Sequence, residues 1–187
     1  MIKFSTTTIA ILLFLTTKSL AFSSGSGTCV IDEDYNSITL MTDRFRNFNS
    51  GTYQVVPNMS EYTAGQPVEL TISGPEFTGI LFTVVDESGN NVGTFDPEAN
   101  FVNECVGANP TTPPAAAVTH LSTFGNLTSY TLFWIPPNSN VGKVYVLGYI
   151  LKGARFDTGS QEFFRFVRED NSAISLTPQD VFTNSFE

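Results

Sequence analysis

The sequence predicts an all-β protein, an immunoglobulin-like β-sandwich of about seven to nine antiparallel strands. Apolar and polar residues alternate along residues 68–73, which places Val68, Leu70 and Ile72 on one face of a half-buried strand. Turn-forming residues recur at intervals of roughly ten residues. Between Cys29 and Val167 no helical period of 3.6 persists beyond about two turns, which argues against α/β and α+β folds.

Stretches rich in β-branched and aromatic residues predict the other strands. They are residues 77–85, 92–95, 130–135, 143–151 and 161–167, with a shorter candidate at 118–121. Residues 86–91 supply a turn, so we expect 77–85 and 92–95 to form a hairpin. Residues 136–140 and 152–159 are expected as turns, and the proline-rich residues 103–117 as a long irregular connection. Phe82 and Trp134 are expected to share one core with residues 68–72.

The first residues predict secretion. Lys3 precedes an apolar run at residues 9–15, and small residues follow at 19–21, the pattern of a cleaved signal peptide. The run is shorter than the roughly 20 residues that span a membrane, so no membrane insertion is expected. We therefore expect an extracellular protein with a signal peptide at 1–21, a flexible leader at 22–28, one β-sandwich domain at 29–168 and a polar tail at 169–187.

The charge of the chain limits its partners. The formal net charge is −9, and cleavage of the signal peptide removes Lys3 and Lys18, so that seven basic residues face eighteen acidic ones, a net charge of −11. Such a surface repels phosphate backbones and anionic headgroups. Nucleic acid and polyanionic glycans are therefore not expected as partners. The expected partner is an extracellular protein or a neutral glycan surface, and self-association is a further possibility.

Two kinds of covalent modification are expected in an exported chain. Cys29 and Cys105 are the only cysteines, and export to an oxidising compartment favours a disulfide between them over two buried thiols. The closed loop would contribute about 4.5 kcal/mol in the chain-entropy description. Asn58 and Asn126 each begin an N-glycosylation triplet, although such triplets also occur by chance.

Two side chains are candidates for ligand contact, His120 and Trp134. The alternative for each is structural: a hydrogen-bonded histidine near the Cys105 loop, and the core tryptophan of a sandwich. The chain lacks the residue spacings of histidine zinc sites, of nucleophilic serine motifs and of catalytic triads. We therefore predict no catalytic residues, no metal site, no cofactor and no enzymatic activity.

Acidic residues and phenylalanines need separate interpretation. Acidic groups at residues 32–34, 86–87 and at Asp96 with Glu98 would bind Ca²⁺ only if loops brought two of them together, and we interpret them as solvated surface. On residues 161–168 alternation places Phe163 on the opposite face from Phe164. If exposed, Phe163 would mark a face for a partner or a second copy.

An ordered set of motifs resembles the reeler (reelin N-terminal) domain. The motifs lie at residues 53–55, 62–72, 77–81, 93–95, 118–120, 134–137 and 144–147, between the two cysteines and beyond. The resemblance implies an immunoglobulin-like β-sandwich and offers no catalytic residues. A signal peptide followed by one domain is most similar to the small secreted insect-type defence proteins of that family. The acidic surface departs from the heparin-type binding associated with the spondins of the family, and this chain has one cysteine pair where some relatives have two.

These observations favour a secreted recognition module with a role in innate defence or surface binding. Ligand contact is expected through neutral hydroxyl and aromatic groups in the loops around Pro136 and Asn109. The alternative is a structural component of an extracellular matrix or coat, which would self-associate. A hydrolase is the weakest interpretation, because paired carboxylates need an apolar pocket that the sequence does not reveal.

Overall fold

The computed structural model describes Cys29, Ile31, Glu33 and residues 49–96, 102–104, 115–120, 127–153, 162–169 and 171–179, and of 102–104 only the backbone. This part of the chain is all strand and loop and contains eleven strands. In chain order they are β1 (Gln54–Pro57), β2 (Glu61–Tyr62), β3 (Val68–Phe77), β4 (Gly79–Asp86), β5 (Thr94–Asp96), β6 (Val102–Glu104), β7 (Ala117–His120), β8 (Leu127–Ile135), β9 (Val144–Lys152), β10 (Glu162–Phe166) and β11 (Ile174–Pro178). The all-β prediction is confirmed.

The strands form two sheets. A four-stranded antiparallel sheet has the order β1-β3-β8-β5, and its central pair aligns Val68 with Trp134 and Ile72 with Tyr130. The larger sheet has seven strands in the order β2-β11-β9-β4-β7-β6, with β10 pairing the remaining length of β9. All its pairs are antiparallel except β2 with β11. The strand count exceeds the predicted range because β2 and β6 are too short to show a periodic pattern and β11 lies in the segment predicted as a polar tail.

The core lies between the sheets and contains the residues that alternation predicted. Val68, Leu70, Ile72, Phe82 and Trp134 are fully buried and belong to one cluster. Their polar neighbours on β3 point away, so the burial along that strand alternates as a two-residue period requires. The predicted core is confirmed.

The predicted hairpin is wrong in its second strand. The turn forms, because Val85 bridges Asn91 and Val92 N–H donates to Val84 O at 2.9 Å. Gly93 then adopts a φ of +69°, which favours glycine, and the chain crosses to the other sheet. There Thr94 pairs with Ile135, so β5 extends the four-stranded sheet and does not pair with β4.

Two segments expected to be irregular contain strands. Ile174–Pro178, placed by the sequence in a polar tail, pairs with β9, and Leu176 is fully buried. β10 and β11 thus share one edge of β9, and the hydroxyl of Ser172 accepts from Val167 N–H at 2.9 Å within their connection. β6 begins the region predicted as a long connection. Residues 1–28, which include the predicted signal peptide and leader, and residues 180–187 lie outside the described part.

A second apolar cluster covers the outer face of the larger sheet. Its buried members are Cys29, Leu81, Ala117, Tyr149, Leu151 and Phe163, and Ile31 packs against them. Phe163 is only 4% exposed. The alternative in which Phe163 lies open to a partner is therefore not supported, because residues of the N-terminal segment already pack on that face.

Candidate functional site

Three connections gather at one end of the sandwich. They are residues 63–67 before β3, residues 87–93 after β4 and residues 136–143 between β8 and β9, and together we call them the loop end. The pairing of Val68 with Trp134 and of Asp86 with Val144 brings their strand ends together. Neutral polar side chains are exposed here: Gln66, Ser88, Asn90, Asn138, Ser139 and Asn140. Loops on a rigid sandwich are a common place for binding residues.

Two buried aromatic rings support the loop end from below. The Tyr62 hydroxyl donates to Gly142 O at 2.7 Å and accepts from Val141 N–H at 3.4 Å. The Tyr62 and Trp134 rings meet edge to face at 5.6 Å, and Trp134 Nε1–H donates to Val92 O at 3.0 Å. Burial raises the pKa of Tyr62. This aromatic pair therefore fixes residues 87–93 and 136–143 to the core, and residues 63–67 follow directly after Tyr62.

Residues 63–67 and 136–143 lie close together. Gly65 has a φ of +70°, and a Cβ built there would lie 2.9 Å from Asn138 Oδ1, so the loops approach closely. Asn140 Oδ1 accepts from Gly142 N–H at 2.8 Å and closes its own turn. Ser139 lies between the two asparagines and is exposed. The surface that results is rich in amides and preorganised, and the charged side chains within it are the exposed Glu87 and the half-buried Lys143.

Trp134 and His120 do not lie on this surface. Trp134 is fully buried, and its role is the structural one that the sequence allowed. His120 is 2% exposed at the end of β7, where its Nδ1 lies 3.2 Å from Ile80 N and 3.1 Å from Ile80 O. Burial lowers its pKa, against a smaller opposing effect of the hydrogen bond with Ile80. The suggestion that either side chain contacts a ligand does not agree with this burial.

Two arginines near the loop end contact Glu33. The Arg168 guanidinium donates to Glu33 Oε1 from Nε at 2.9 Å and from Nη2 at 2.6 Å, and lies over the Tyr145 ring with 5.6 Å to its centroid. Hydrogen bonding to Glu33 raises the pKa of Arg168. Arg165 Nη1–H donates to Glu33 O at 2.7 Å. Sequence reasoning missed this contact because 135 residues separate Arg168 from Glu33.

Asp86 is a turn residue. Its carboxylate accepts from Asn90 N–H at 2.8 Å and from Asn90 Nδ2–H at 3.1 Å. Burial alone would raise the pKa of Asp86, but hydrogen bonds from Asn90, Ser88 and Gly89 outweigh it and lower the pKa. No group of three or more metal-ligating side chains occurs among the described residues. Asp32, Asp34 and Glu98 lie outside them.

The expected modification sites are described only in part. Cys29 is 3% exposed, whereas Cys105 lies outside the described residues, so their pairing stays a prediction. Asn58 is exposed directly after β1. Asn126 and the predicted ligand-loop residue Asn109 are not among the described residues. Of the two predicted ligand loops, the structure therefore describes the one around Pro136.

Residues 38–155 match the Reeler domain family. The chain belongs to this family. Reeler domains are extracellular-type modules. A reeler structure from F-spondin is similar with a TM-score of 0.54 at 20% identity, covering 72% of this chain and 91% of that one. Human F-spondin reeler fragment 2 gives a TM-score of 0.56 at 18% identity, covering 73% and 94%.

Human F-spondin reeler fragment 1 gives a TM-score of 0.54 at 20% identity, covering 72% of this chain and 94% of that one. At this identity the likeness establishes the reeler fold. No curated relative matches the sequence. No helix in the described part of this reeler protein is long and apolar enough to cross a membrane.

Proposed function

We propose that this reeler protein is a secreted recognition module that binds an extracellular protein or a neutral glycan surface through its loop end. The observation that carries the proposal is the Tyr62–Trp134 pair, which anchors residues 87–93 and 136–143 beneath exposed amide and hydroxyl groups. Preorganised loops lose little conformational entropy on binding. Innate defence is the biological setting that we propose, because the predicted arrangement of a signal peptide and one domain is similar to that of the secreted defence proteins of the family.

Charge supports a neutral ligand. Arg168 is engaged by Glu33, and Lys152 lies 3.5 Å from Glu162. The exposed amides and hydroxyls of the loop end donate and accept hydrogen bonds without carrying charge, as the hydroxyls of a sugar require. Binding through such groups is expected to depend only weakly on salt.

A surface array tests this function. Purified protein is applied to immobilised neutral glycans and to whole bacterial and fungal cells, and its binding is compared with that of two double variants. Gln66→Ala with Ser139→Ala removes exposed groups from the loop end. Gln54→Ala with Ser129→Ala removes the same residue types from exposed positions at the opposite end of the four-stranded sheet.

We expect at least about a tenfold loss of binding for the loop-end variant, corresponding to about 1.4 kcal/mol, and little change for the matched control. Equal losses in both variants would contradict the assignment of the loop end. Absence of binding to every surface, with concentration-dependent assembly by light scattering, would favour the structural coat alternative. Val56 and Met59 on the β1 edge are the specific observation that keeps that alternative open.

A further inference from the structure

Asn58 closes the end of β1 with its side chain. Its backbone N–H donates to Glu69 O at 2.9 Å, and its Oδ1 accepts from Glu69 N–H at 3.1 Å. Pro57, which precedes it, has no N–H and ends the regular ladder. The amide oxygen of Asn58 thus takes the place of a backbone carbonyl opposite Glu69.

The amide nitrogen of Asn58 remains available. The side chain is exposed, and within the described residues its Nδ2 has no hydrogen-bond partner. Asn58, Met59 and Ser60 form an N-glycosylation triplet whose three members are all exposed. An N-glycosidic amide keeps its carbonyl oxygen, so a sugar on Nδ2 leaves the hydrogen bond from Glu69 intact.

Asn58 lies beside a strand edge and exposed apolar side chains, which a sugar attached there would cover. In the described part of the chain β1 pairs only with β3, so its other edge carries no strand. Val56 and Met59 are the large apolar side chains exposed among the described residues, at 52% and 38%. Both lie within two residues of Asn58. A strand edge beside exposed apolar groups invites pairing with another chain.

We propose that Asn58 carries an N-linked oligosaccharide, which covers the β1 edge together with Val56 and Met59 and keeps the protein monomeric. In the secretory pathway, which residues 1–21 predict, Nδ2 attacks the anomeric carbon of a lipid-diphosphate-linked oligosaccharide. A carbon–nitrogen bond forms, the bond from that carbon to the diphosphate oxygen breaks, and the amide releases one proton. The proposal is independent of the ligand bound by the loop end.

Occupancy is tested on the full chain secreted from eukaryotic cells, with Thr128→Ala removing the second triplet. Peptide N-glycosidase F then removes sugar and converts its attachment residue to Asp, which mass spectrometry locates. Ser60→Thr keeps the triplet, whereas Ser60→Ala removes it and spares both the Asn58 contacts and the backbone bond from Thr177 N–H to Ser60 O. We expect sugar at Asn58 in the Thr128→Ala and Ser60→Thr proteins and none in Ser60→Ala. An unmodified Asn58 in the secreted Thr128→Ala protein would overturn the proposal.

Shielding is tested by light scattering of the same proteins over a range of concentrations. We expect the Ser60→Ala protein to associate and the Ser60→Thr protein to remain monomeric. Adding Val56→Thr and Met59→Thr to the Ser60→Ala protein should restore the monomer, because the apolar groups are then gone. A Ser60→Ala protein that stays monomeric throughout would overturn the shielding role, and so would association of the glycosylated protein.

Discussion

Gly93 and Gly142 share a left-handed backbone conformation but differ in their surroundings. Gly93 has a φ of +69° and lies against Ile135 O and the Trp134 ring, whereas Gly142 has a φ of +79° and open space around it. Left-handed strain costs a residue with a Cβ about 1–2 kcal/mol. We expect Gly142→Ala to lose about that much stability, and Gly93→Ala to lose about 3 kcal/mol or more because a steric clash is added. Urea unfolding of both variants measures this, and equal losses would show that Gly93 has room to adjust.

His120 is the only histidine, and this makes the pH dependence of stability simple to assign. Burial lowers its pKa below the usual 6.5, so the unfolded state takes up a proton at a pH where the folded state does not. The free energy of unfolding therefore has its full value above pH 6.5. It falls as the pH drops below 6.5, by at most about 1.4 kcal/mol per pH unit.

The matched variant is His120→Gln, which removes the titrating ring. Its free energy of unfolding is expected to be lower overall but to change little between about pH 7.5 and 5.5, since carboxylates in unfolded chains titrate near pH 4. Urea titrations at several pH values test this difference. A wild-type protein as flat as the variant would show that His120 is protonated equally in both states.

At the scale of elements, Glu33 connects the N-terminal segment to the connection after β10. The Glu33 and Arg168 side chains are only 18% and 31% exposed, whereas those of Glu162 and Lys152 are 39% and 44% exposed at a longer 3.5 Å. A double-mutant cycle to Ala on each pair is expected to give a coupling of about 1–2 kcal/mol for Glu33 with Arg168. The exposed pair should give less than about 0.5 kcal/mol. Similar couplings would mean that the two hydrogen bonds from the Arg168 guanidinium to Glu33 Oε1 add nothing to stability.

The same scale shows how far the sequence predicts the fold. Alternation predicts β3 and β8 because one face of each meets the core and the other meets solvent. It misses β11, where Leu176 is the single fully buried residue and the surrounding residues are polar. It pairs residues 92–95 with the wrong strand because periodicity carries no information about the backbone angle of Gly93.

The candidate site is predictable to a similar extent. Prolines and asparagines mark the loop around Pro136 as a turn, and the sequence assigns ligand contact to it. The support beneath it is not predictable, because the hydrogen bond from Tyr62 to Gly142 spans 80 residues and arises only after the sheets assemble. The sequence likewise leaves two roles open for Trp134, a platform for a ligand and a core residue, and only its burial decides between them.

For the whole molecule, net charge determines the behaviour towards polyanions. The chain without its predicted signal peptide carries −11, and of its seven basic residues Lys152 and Arg168 lie beside carboxylates and Arg165 is buried. Strong electrostatic binders make about six to ten phosphate contacts, more than the basic residues that remain here. We therefore expect no retention on heparin at about 0.15 M salt. Column chromatography with a salt gradient measures this. Firm retention that falls steeply with salt would reveal a basic patch and favour a matrix role.

The path of the chain between the two sheets has a kinetic consequence. Successive strands from β1 to β5 alternate between the sheets, and β8 returns to the smaller one before β9, β10 and β11 complete the larger. Neither sheet is therefore made from a continuous piece of chain, and a cut in any loop would leave fragments that each lack partners. Topologies dominated by such distant pairings fold in about milliseconds to seconds. This domain is expected to fold slowly, to unfold in a single cooperative step and to yield no half-molecule that is stable alone.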